Sequence, residues 1–413
     1  MEPLTINGKR LRQEIEALSQ IGRGEDQGVF RMAFSNADME ARTWLKQHIA
    51  DAGLETYQDS AANIHARLGW RDDIASVMTG SHIDSVPGGG HLDGSLGVLA
   101  GLECLRRINE LKLTSKRPLE SVAFSDEEGR FGGIFGSRAI CGQLTPENIH
   151  AARDLDGITL TQAMAEQGLS AMDALSAARR PESIHAFVEL HIEQGPILER
   201  QKLHLGAVDA VAGLFKWNVR FSGAAAHAGA TPMEMRQDAF QGAAEFSMEL
   251  KRIIEEHGSP RSVATIGRVE LSPGVANVVP NLAEFSLDVR DTDAETLHAL
   301  GDTMRRALSA IARRRQLMFE FEVLSEIEPV KCNSRIIQMI ERSSRTLGIN
   351  TTRMASGAAH DTQIMAGITP SGLIFIPSKG GRSHSPAEWS DWQDIENGAN
   401  VLLNTLYQLA NEP

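Results

Sequence analysis

The spacing of apolar and polar residues gives the two ends of the chain one pattern and its middle another. From about Ile74 to Gly80 the run IASVMTG predicts a buried strand that ends in SHID. A glycine run, Gly88-Gly89-Gly90, and then LDG follow, after which SLGVLAGLECLRRINELK has the period of a helix. LESVAFSDEEG is a second apolar strand that runs into acids at its carboxyl end, and HAFVELHIEQG repeats the design. Strands that alternate with helices and gather polar residues where they stop predict an α/β domain with a site at the strand ends.

From Leu214 the pattern changes. LFKWNVRFSG alternates as a half-exposed strand does, and a helical segment runs from about Pro232 to His257. RSVATIGRVEL and NLAEFSLDVRD read as strands, DAETLHALGDTMRRALSAIARRR as a helix and LMFEFEVLSE as a last strand. This β-α-β-β-α-β order is the ferredoxin-like split arrangement. After Pro329 the chain returns to a helix (SRIIQMIERSSRTLG), an apolar strand (SGLIFIP) and a closing helix to Leu409. The expected organisation is an α/β domain with a central mixed sheet flanked by helices, built from residues 1–212 and 330–413. A ferredoxin-like α+β domain at 213–329 interrupts it.

Composition narrows what such a chain can do. Its 413 residues give room for more than one core. With 41 Lys+Arg against 54 Asp+Glu the net charge is −13, and no basic cluster offers a face for phosphates, which argues against a nucleic-acid partner. Aromatic residues at 5%, with 2 Tyr, give no stacking platform for single strands. Cys104, Cys141 and Cys332 are odd in number and form no C-x-x-C pair, which argues against a disulfide framework and for a reducing compartment. The N-terminal MEPLTINGKRLRQEIEALSQ reads as an amphipathic helix without a secretory apolar core, and no apolar run reaches the ~18 residues of a membrane span. The expectation is a cytoplasmic protein without a membrane partner.

The 13 His then point to chemistry. Five segments put metal-type ligands in loops after strands: His82 in GSHIDS, Asp93 in GGHLDGS, Glu128 in SDEEGR, His191 in ELHIEQG and His384 in GRSHSPAEW. Imidazole and carboxylate are the donors that borderline divalent ions accept, and no thiolate is positioned to join them. Five such donors exceed the needs of one catalytic ion, whereas two ions sharing a carboxylate would use all of them and keep positions open for water and substrate. Asp93, between a glycine-rich loop and a helix start, is the natural bridge. Glu127 beside Glu128 adds a second signal. Consecutive strand residues face opposite ways, so both serve one site only if the strand ends there, and Gly129 supplies a break. One Glu can then hold metal while the other acts as a base in metal-assisted hydrolysis.

Other features carry bland readings. His48, His65, His150, His185, His204, His257 and His298 read as surface or hydrogen-bonded residues, and His91 stays open. His360-Asp361, in SGAAHD, reads as a substrate-facing loop with a ligand pair as the alternative. The triple glycine is no phosphate loop, because no Lys-Ser/Thr follows it.

The strings GSHIDS, GGHLDG, FVELHIEQG, AHAGATPM, PGVANVVP, DVRDTD and SHSPAEW resemble those of the dinuclear zinc amidohydrolases and peptidases that include aminoacylases and carboxypeptidase G-type enzymes. The branch of N-carbamoyl-L-amino acid hydrolases, allantoate amidohydrolases and β-ureidopropionases is the most similar, over about residues 20 to 409. The resemblance implies two divalent ions per chain: Zn²⁺ first, with Mn²⁺, Co²⁺ or Ni²⁺ as alternatives. His82 and His191 would hold one, Glu128 and His384 the other, with Asp93 bridging and Glu127 as general base. It implies that the inserted domain forms a homodimer and that His227, in AAHAGATP, polarises the scissile carbonyl across the interface. Asn277 and Arg290 would clamp the substrate carboxylate, as a guanidinium fork suits, and Gln194 would contact the ureido group.

Two departures stand out. EEGRFGGIFGS is one or two residues shorter than the corresponding segment of many members, which changes the wall near Arg130 and Phe131. Where members acting on allantoate carry an Arg pair, this chain has Leu214, Phe215 and Lys216, and Phe215 tilts the expectation toward carbamoyl amino acids with an apolar side chain. The expected reaction is hydrolysis of an N-carbamoyl-L-α-amino acid to the amino acid, CO₂ and ammonia. Allantoate and β-ureidopropionate hydrolysis are the rivals, and a catalytically silent ligand-binding homologue is the reading from another class.

Overall fold

A computed structural model describes residues 3–412, so Met1, Glu2 and Pro413 of the predicted organisation lie outside the described residues. The chain divides into two compact units, one of residues 1–209, 332–354 and 360–413, the other of residues 210–331 and 355–359.

The first unit is built on a mixed sheet. Its four central strands, Leu119–Phe124, Ser76–His82, Ile184–Ile192 and Ser371–Ile376, lie side by side in that order and all run parallel. Ile64–Leu68 and then Glu55–Gln58 extend one side antiparallel, and Leu205–Val211 pairs antiparallel on the other. The central strands are buried on both faces, which explains their continuous apolar runs. Helices Ser95–Glu110 and Trp392–Asn411 pack on the sheet and on each other. Gly97 permits the first of these contacts, since a Cβ there would lie 2.5 Å from the Leu190 carbonyl oxygen and 2.8 Å from Ser81 Cβ. The amphipathic N-terminal helix forms over Gly8–Leu18, with Asn7 as its cap. Among the described residues no helix is long and apolar enough to cross a membrane.

The second unit has the β-α-β-β-α-β order. Strands Val269–Ser272, Leu282–Asp291, Gly213–Ser222 and Met318–Ile327 lie side by side in that order, all antiparallel, and Val263–Thr265 also pairs with Leu282–Asp291. Leu282–Asp291 alternates strictly between half-exposed and buried positions. Trp217, Phe221, Phe246 and Phe285 fill the core between this sheet and helices Ala239–His257 and Ala294–Arg314. Two boundaries differ from expectation. The helix read from about Pro232 starts at Ala239, because Asp238 accepts from the backbone N–H of Phe240 and Gln241 and caps it there. RSVATIGRVEL is two short strands rather than one.

Candidate metal centre and substrate anchors

The parallel strands carry the candidate ligands to one edge of the first unit. His82 is the last residue of its strand, His191 the penultimate residue of the next, and Glu127 and Glu128 follow Phe124 after a short turn. That turn does not wait for Gly129. The strand ends at Phe124 and Asp126 already takes a φ of +51°, so the reversal that lets both Glu face the site comes before them, and Gly129 at +87° only closes it.

Asp93 stands at the centre. Its Oδ1 lies 3.1 Å from His191 Nε2 and 3.6 Å from His82 Nε2. Its Oδ2 lies 3.2 Å from His384 Nε2, which is 3.4 Å from Glu128 Oε2. One carboxylate oxygen thus faces each half of the donor set. Two ligands each about 2.0–2.2 Å from a tetrahedral ion stand about 3.3–3.6 Å apart, so these separations suit a borderline divalent ion. The rings are turned for the task as well. His82 Nδ1 lies 3.0 Å from the Asp84 carbonyl oxygen and His191 Nδ1 2.9 Å from that of Ile192. Both Nδ1 atoms therefore donate, and both Nε2 lone pairs point inward. The residues present fit the metal ions expected of them: His82, Asp93 and His191 form one group able to hold an ion, and Asp93, Glu128 and His384 another.

The electrostatics agree. Burial alone would raise the Asp93 pKa, but hydrogen bonds with His191 and His384 and the nearby His82 hold it well below the ordinary range. Burial also pushes down on His191, yet Asp93 and Glu189 outweigh it and lift the imidazole to about 9. Glu127 and Glu128 go the other way. Burial first, then Asp361, Glu128, Asp84 and Asp93 around Glu127, and Asp93 and Asp84 around Glu128, push both carboxyls well above their usual values. Such a crowd of buried acids calls for cations. Glu127 Oε2 sits 3.5 Å from His82 Nε2, beside the donor set rather than spanning its two halves, which leaves it placed for proton transfer.

Gln194, with a φ of +58°, donates from Nε2 to Asp93 Oδ2 at 2.7 Å, while its buried Oε1 has no hydrogen-bond partner among the described residues. The second unit holds the remaining candidates. His227 lies in a two-residue strand paired with Val278–Val279, and the Ala228 N–H donates to the Asn277 carbonyl oxygen, so His227 and Asn277 are neighbours. His227 Nδ1 accepts from the Gly229 and Ala230 N–H, both at 3.1 Å, so the neutral ring carries its proton on Nε2. Arg290 stands in the strand Leu282–Asp291 and chelates Asp288, from Nε at 2.9 Å and Nη2 at 3.1 Å, while Nη1 donates to the Gly357 carbonyl oxygen at 2.6 Å.

Several readings of the sequence need correction. His360 and Asp361, read as a substrate-facing loop with a ligand pair as the alternative, are both buried; the His360 ring meets the His191 ring edge-on at 4.5 Å, and His360 forms with Glu189 and His191 a third group that could hold an ion. His91 belongs to neither ligand group and packs against Trp389. Phe215 is buried and stacks on Trp217 at 4.4 Å, so it lines the core of its unit and gives no ground for an apolar substrate preference. Lys216 is the residue of that triplet that reaches the surface. Arg130 is tied to Asp154 and to the Ala33 carbonyl oxygen, and Phe131 packs against Phe34. Two further carboxylates support the donor set. Asp84 accepts from the backbone N–H of Glu127 and Glu128, at 3.4 and 3.1 Å, and Glu388 accepts from those of Leu92 and Asp93, at 2.8 and 3.0 Å. Asp84 stands in the SHID string two residues after His82, and Glu388 in SHSPAEW four residues after His384, but neither string tells which backbone groups these carboxylates hold.

Comparison with known proteins decides the family. The profile of peptidase family M20/M25/M40 matches residues 78–408. The chain belongs to peptidase family M20/M25/M40. Among family relatives, it is 41% identical to an N-carbamoyl-L-amino acid amidohydrolase of Geobacillus stearothermophilus over 98% of this chain and 99% of that one. It is 34% identical to the allantoate amidohydrolase of Bacillus subtilis over 96% of each. Among solved structures, an amidase of the hydantoinase/carbamoylase family from Burkholderia multivorans superposes with a TM-score of 0.91 at 33% identity, covering 99% of both chains.

Proposed function

We propose that this M20 family member hydrolyses the carbamoyl C–N bond of N-carbamoyl-L-α-amino acids. The observation that carries the proposal is Asp93, with one carboxylate oxygen toward His82 and His191 and the other toward His384 and the Glu128 half, and Glu127 alongside. The likeness to N-carbamoyl-L-amino acid amidohydrolases over almost the whole chain supports the substrate class. Two divalent ions, Zn²⁺ first, held by these five ligands would supply Lewis acidity and a water that ionises near neutral pH. Glu127 takes the proton of the attacking water as oxygen adds to the ureido carbon. His227 donates its Nε2–H to the oxygen on which charge develops. Glu127 then returns the proton to the leaving amino-acid nitrogen, and the carbamic acid released breaks down to CO₂ and ammonia. Asn277 and Arg290 hold the substrate carboxylate, and Gln194 binds the ureido end.

The inserted unit would form the homodimer through which His227 acts. Strand Val269–Ser272 is exposed along its length and has one partner strand among the described residues, and Met235, Met248 and Leu271 are exposed on the same unit. Apolar side chains around an open strand edge suit pairing with a second copy. Mixing inactive Glu127→Gln and His227→Ala dimers under subunit exchange should then rebuild one intact site per mixed dimer and restore about a quarter of wild-type activity. No recovery would refute action across the interface.

Steady-state rates on N-carbamoyl-L-methionine, N-carbamoyl-β-alanine, allantoate and an N-acetyl amino acid, with metal-replete protein, test the substrate. The proposal expects the first to lead. Allantoate is the second reading, favoured by the relatives of that name in Bacillus subtilis and Escherichia coli.

A further inference from the structure

We infer that Asp288 is a positioning residue for substrate binding: it occupies the side-on fork of Arg290 and thereby presents the outer edge of the guanidinium to the substrate carboxylate. The inference rests on the reading of Arg290 as the carboxylate anchor.

Arg290 carries five N–H donors in a plane. Asp288 takes one from Nε and one from Nη2, and Gly357 takes one from Nη1. Nη1 and Nη2 carry two N–H each and each uses one here, so one N–H on each terminal nitrogen remains for a ligand. The two residues are i and i+2 in one strand and share a face, which is why the pairing is local and in plane. Arg290 borders a cavity of about 570 Å³ within this unit, whose rim also includes Lys216, Val263, Thr265, Ser286 and Leu324. Lys216 Nζ is 3.7 Å from Asp288 Oδ2. The side chains Lys216, Asp288 and Arg290 therefore sum to a single positive charge, matched to one carboxylate.

The alternative is that Asp288 is merely a competitor. A carboxylate on Arg290 repels a second one, so its removal would then free the fork and tighten substrate binding. The two readings predict opposite signs. The experiment measures kcat and KM for an N-carbamoyl amino acid and for its carboxamide analogue, in the wild type and in Asp288→Asn, Asp288→Ala, Arg290→Ala and the double Asp288→Ala/Arg290→Ala variant, with thermal midpoints alongside. If Asp288 positions Arg290, Asp288→Ala raises KM for the carboxylate substrate about tenfold with kcat nearly unchanged, and Asp288→Asn, which keeps one acceptor oxygen, loses less. The carboxamide analogue is little affected, and the double variant is no worse than Arg290→Ala, because both substitutions remove one interaction. A lower KM in Asp288→Ala, equal losses on both substrates or additive losses in the double variant would overturn the inference. An unchanged KM in Arg290→Ala would instead overturn the anchor on which it rests. Should Asp288→Ala fail to fold, the sign of the KM change in the near-isosteric Asp288→Asn decides.

Discussion

Replacing Gly94 by Ala tests the proposed metal centre without substituting any of its candidate ligands. Gly94 follows Asp93, the proposed bridge, has a φ of +64°, and donates its N–H to His191 Nε2 at 3.2 Å. A Cβ at this position would lie 2.4 Å from three atoms of the His82 ring, Cδ2, Cε1 and Nε2. Relief to an ordinary contact of about 3.4 Å requires a shift of about 1 Å (3.4 − 2.4), shared between ring and loop, against a tolerance of about 0.2 Å in metal–ligand distance. His82 is buried and tied through Nδ1 to the Asp84 carbonyl oxygen, so it cannot yield without breaking that bond. A side chain at positive φ costs about 1–3 kcal/mol and overpacking another 1–3, so about 2–6 kcal/mol falls on a site that also needs its geometry intact. The expected result is a folded but destabilised protein that binds one divalent ion per chain in place of two and has lost its activity. Metal analysis after dialysis, thermal unfolding with and without added Zn²⁺, and turnover of the best substrate measure the three consequences. A Gly94→Ala protein with two ions per chain and wild-type turnover would refute both the placement of His82 as a ligand and the reasoning from its packing.

Three further outcomes are expected. Glu127→Gln should retain its metal while losing about 10²–10⁴-fold in kcat, and near-normal turnover would remove the base from the mechanism. Divalent metal should raise the thermal midpoint of chelator-stripped protein more at about pH 7.5 than at about pH 5.5. Burial and mutual repulsion raise the Glu127 and Glu128 pKa values, so the metal-free fold loses stability as pH rises above the ordinary carboxylate range, and a cation offsets that loss; a shift that is absent or independent of pH would contradict this. Finally, buried His65 lies 3.0 Å from Glu120 and 3.5 Å from Asp59, with Arg67 and Arg179 also on Glu120. Burial alone would lower the His65 pKa and raise that of Glu120, but their pairing outweighs it and moves each the other way. The His65 contribution is full below 6.5 and lost as pH rises through its raised value, and that of Glu120 is full above 4.5 and lost on acidification. The urea midpoint of wild type should therefore exceed that of His65→Leu most between pH 4.5 and 6.5 and the gap should narrow in alkali; a constant gap would show that His65 is not charged in the fold.

His65 also shows where sequence reading stops. By pattern alone it is a bland histidine, and its strand, Ile64–Leu68, gives no signal because His65 and Arg67 break an apolar run. Both are in fact buried or nearly so, compensated by Glu120 from the strand Leu119–Phe124 and by Asp59, partners that no local pattern reveals. The central parallel strands were legible because, buried on both faces, they tolerate few polar residues until they end, and the polar residues at those ends then announce a site.

The same physics explains why the candidate ligands were legible and the task of their supports was not. A candidate ligand is recognised by its own donor atom, so His82, Asp93, Glu128, His191 and His384, weak signals singly, could be read together as one donor set. Glu388 works through a backbone it reaches only by folding, from a segment nearly 300 residues away in sequence, where its Oε1 holds the Leu92 and Asp93 N–H groups. A Cβ on Gly90 would collide with that carboxylate at 2.1 Å, so the triple glycine, which is no phosphate loop, is in part the space Glu388 needs. Asp93 can face both halves of the donor set because its loop is gripped on one side by Glu388 and turned on the other by Gly94. The chemistry is written in the ligands, and the precision of their placement in residues whose partners lie far along the chain.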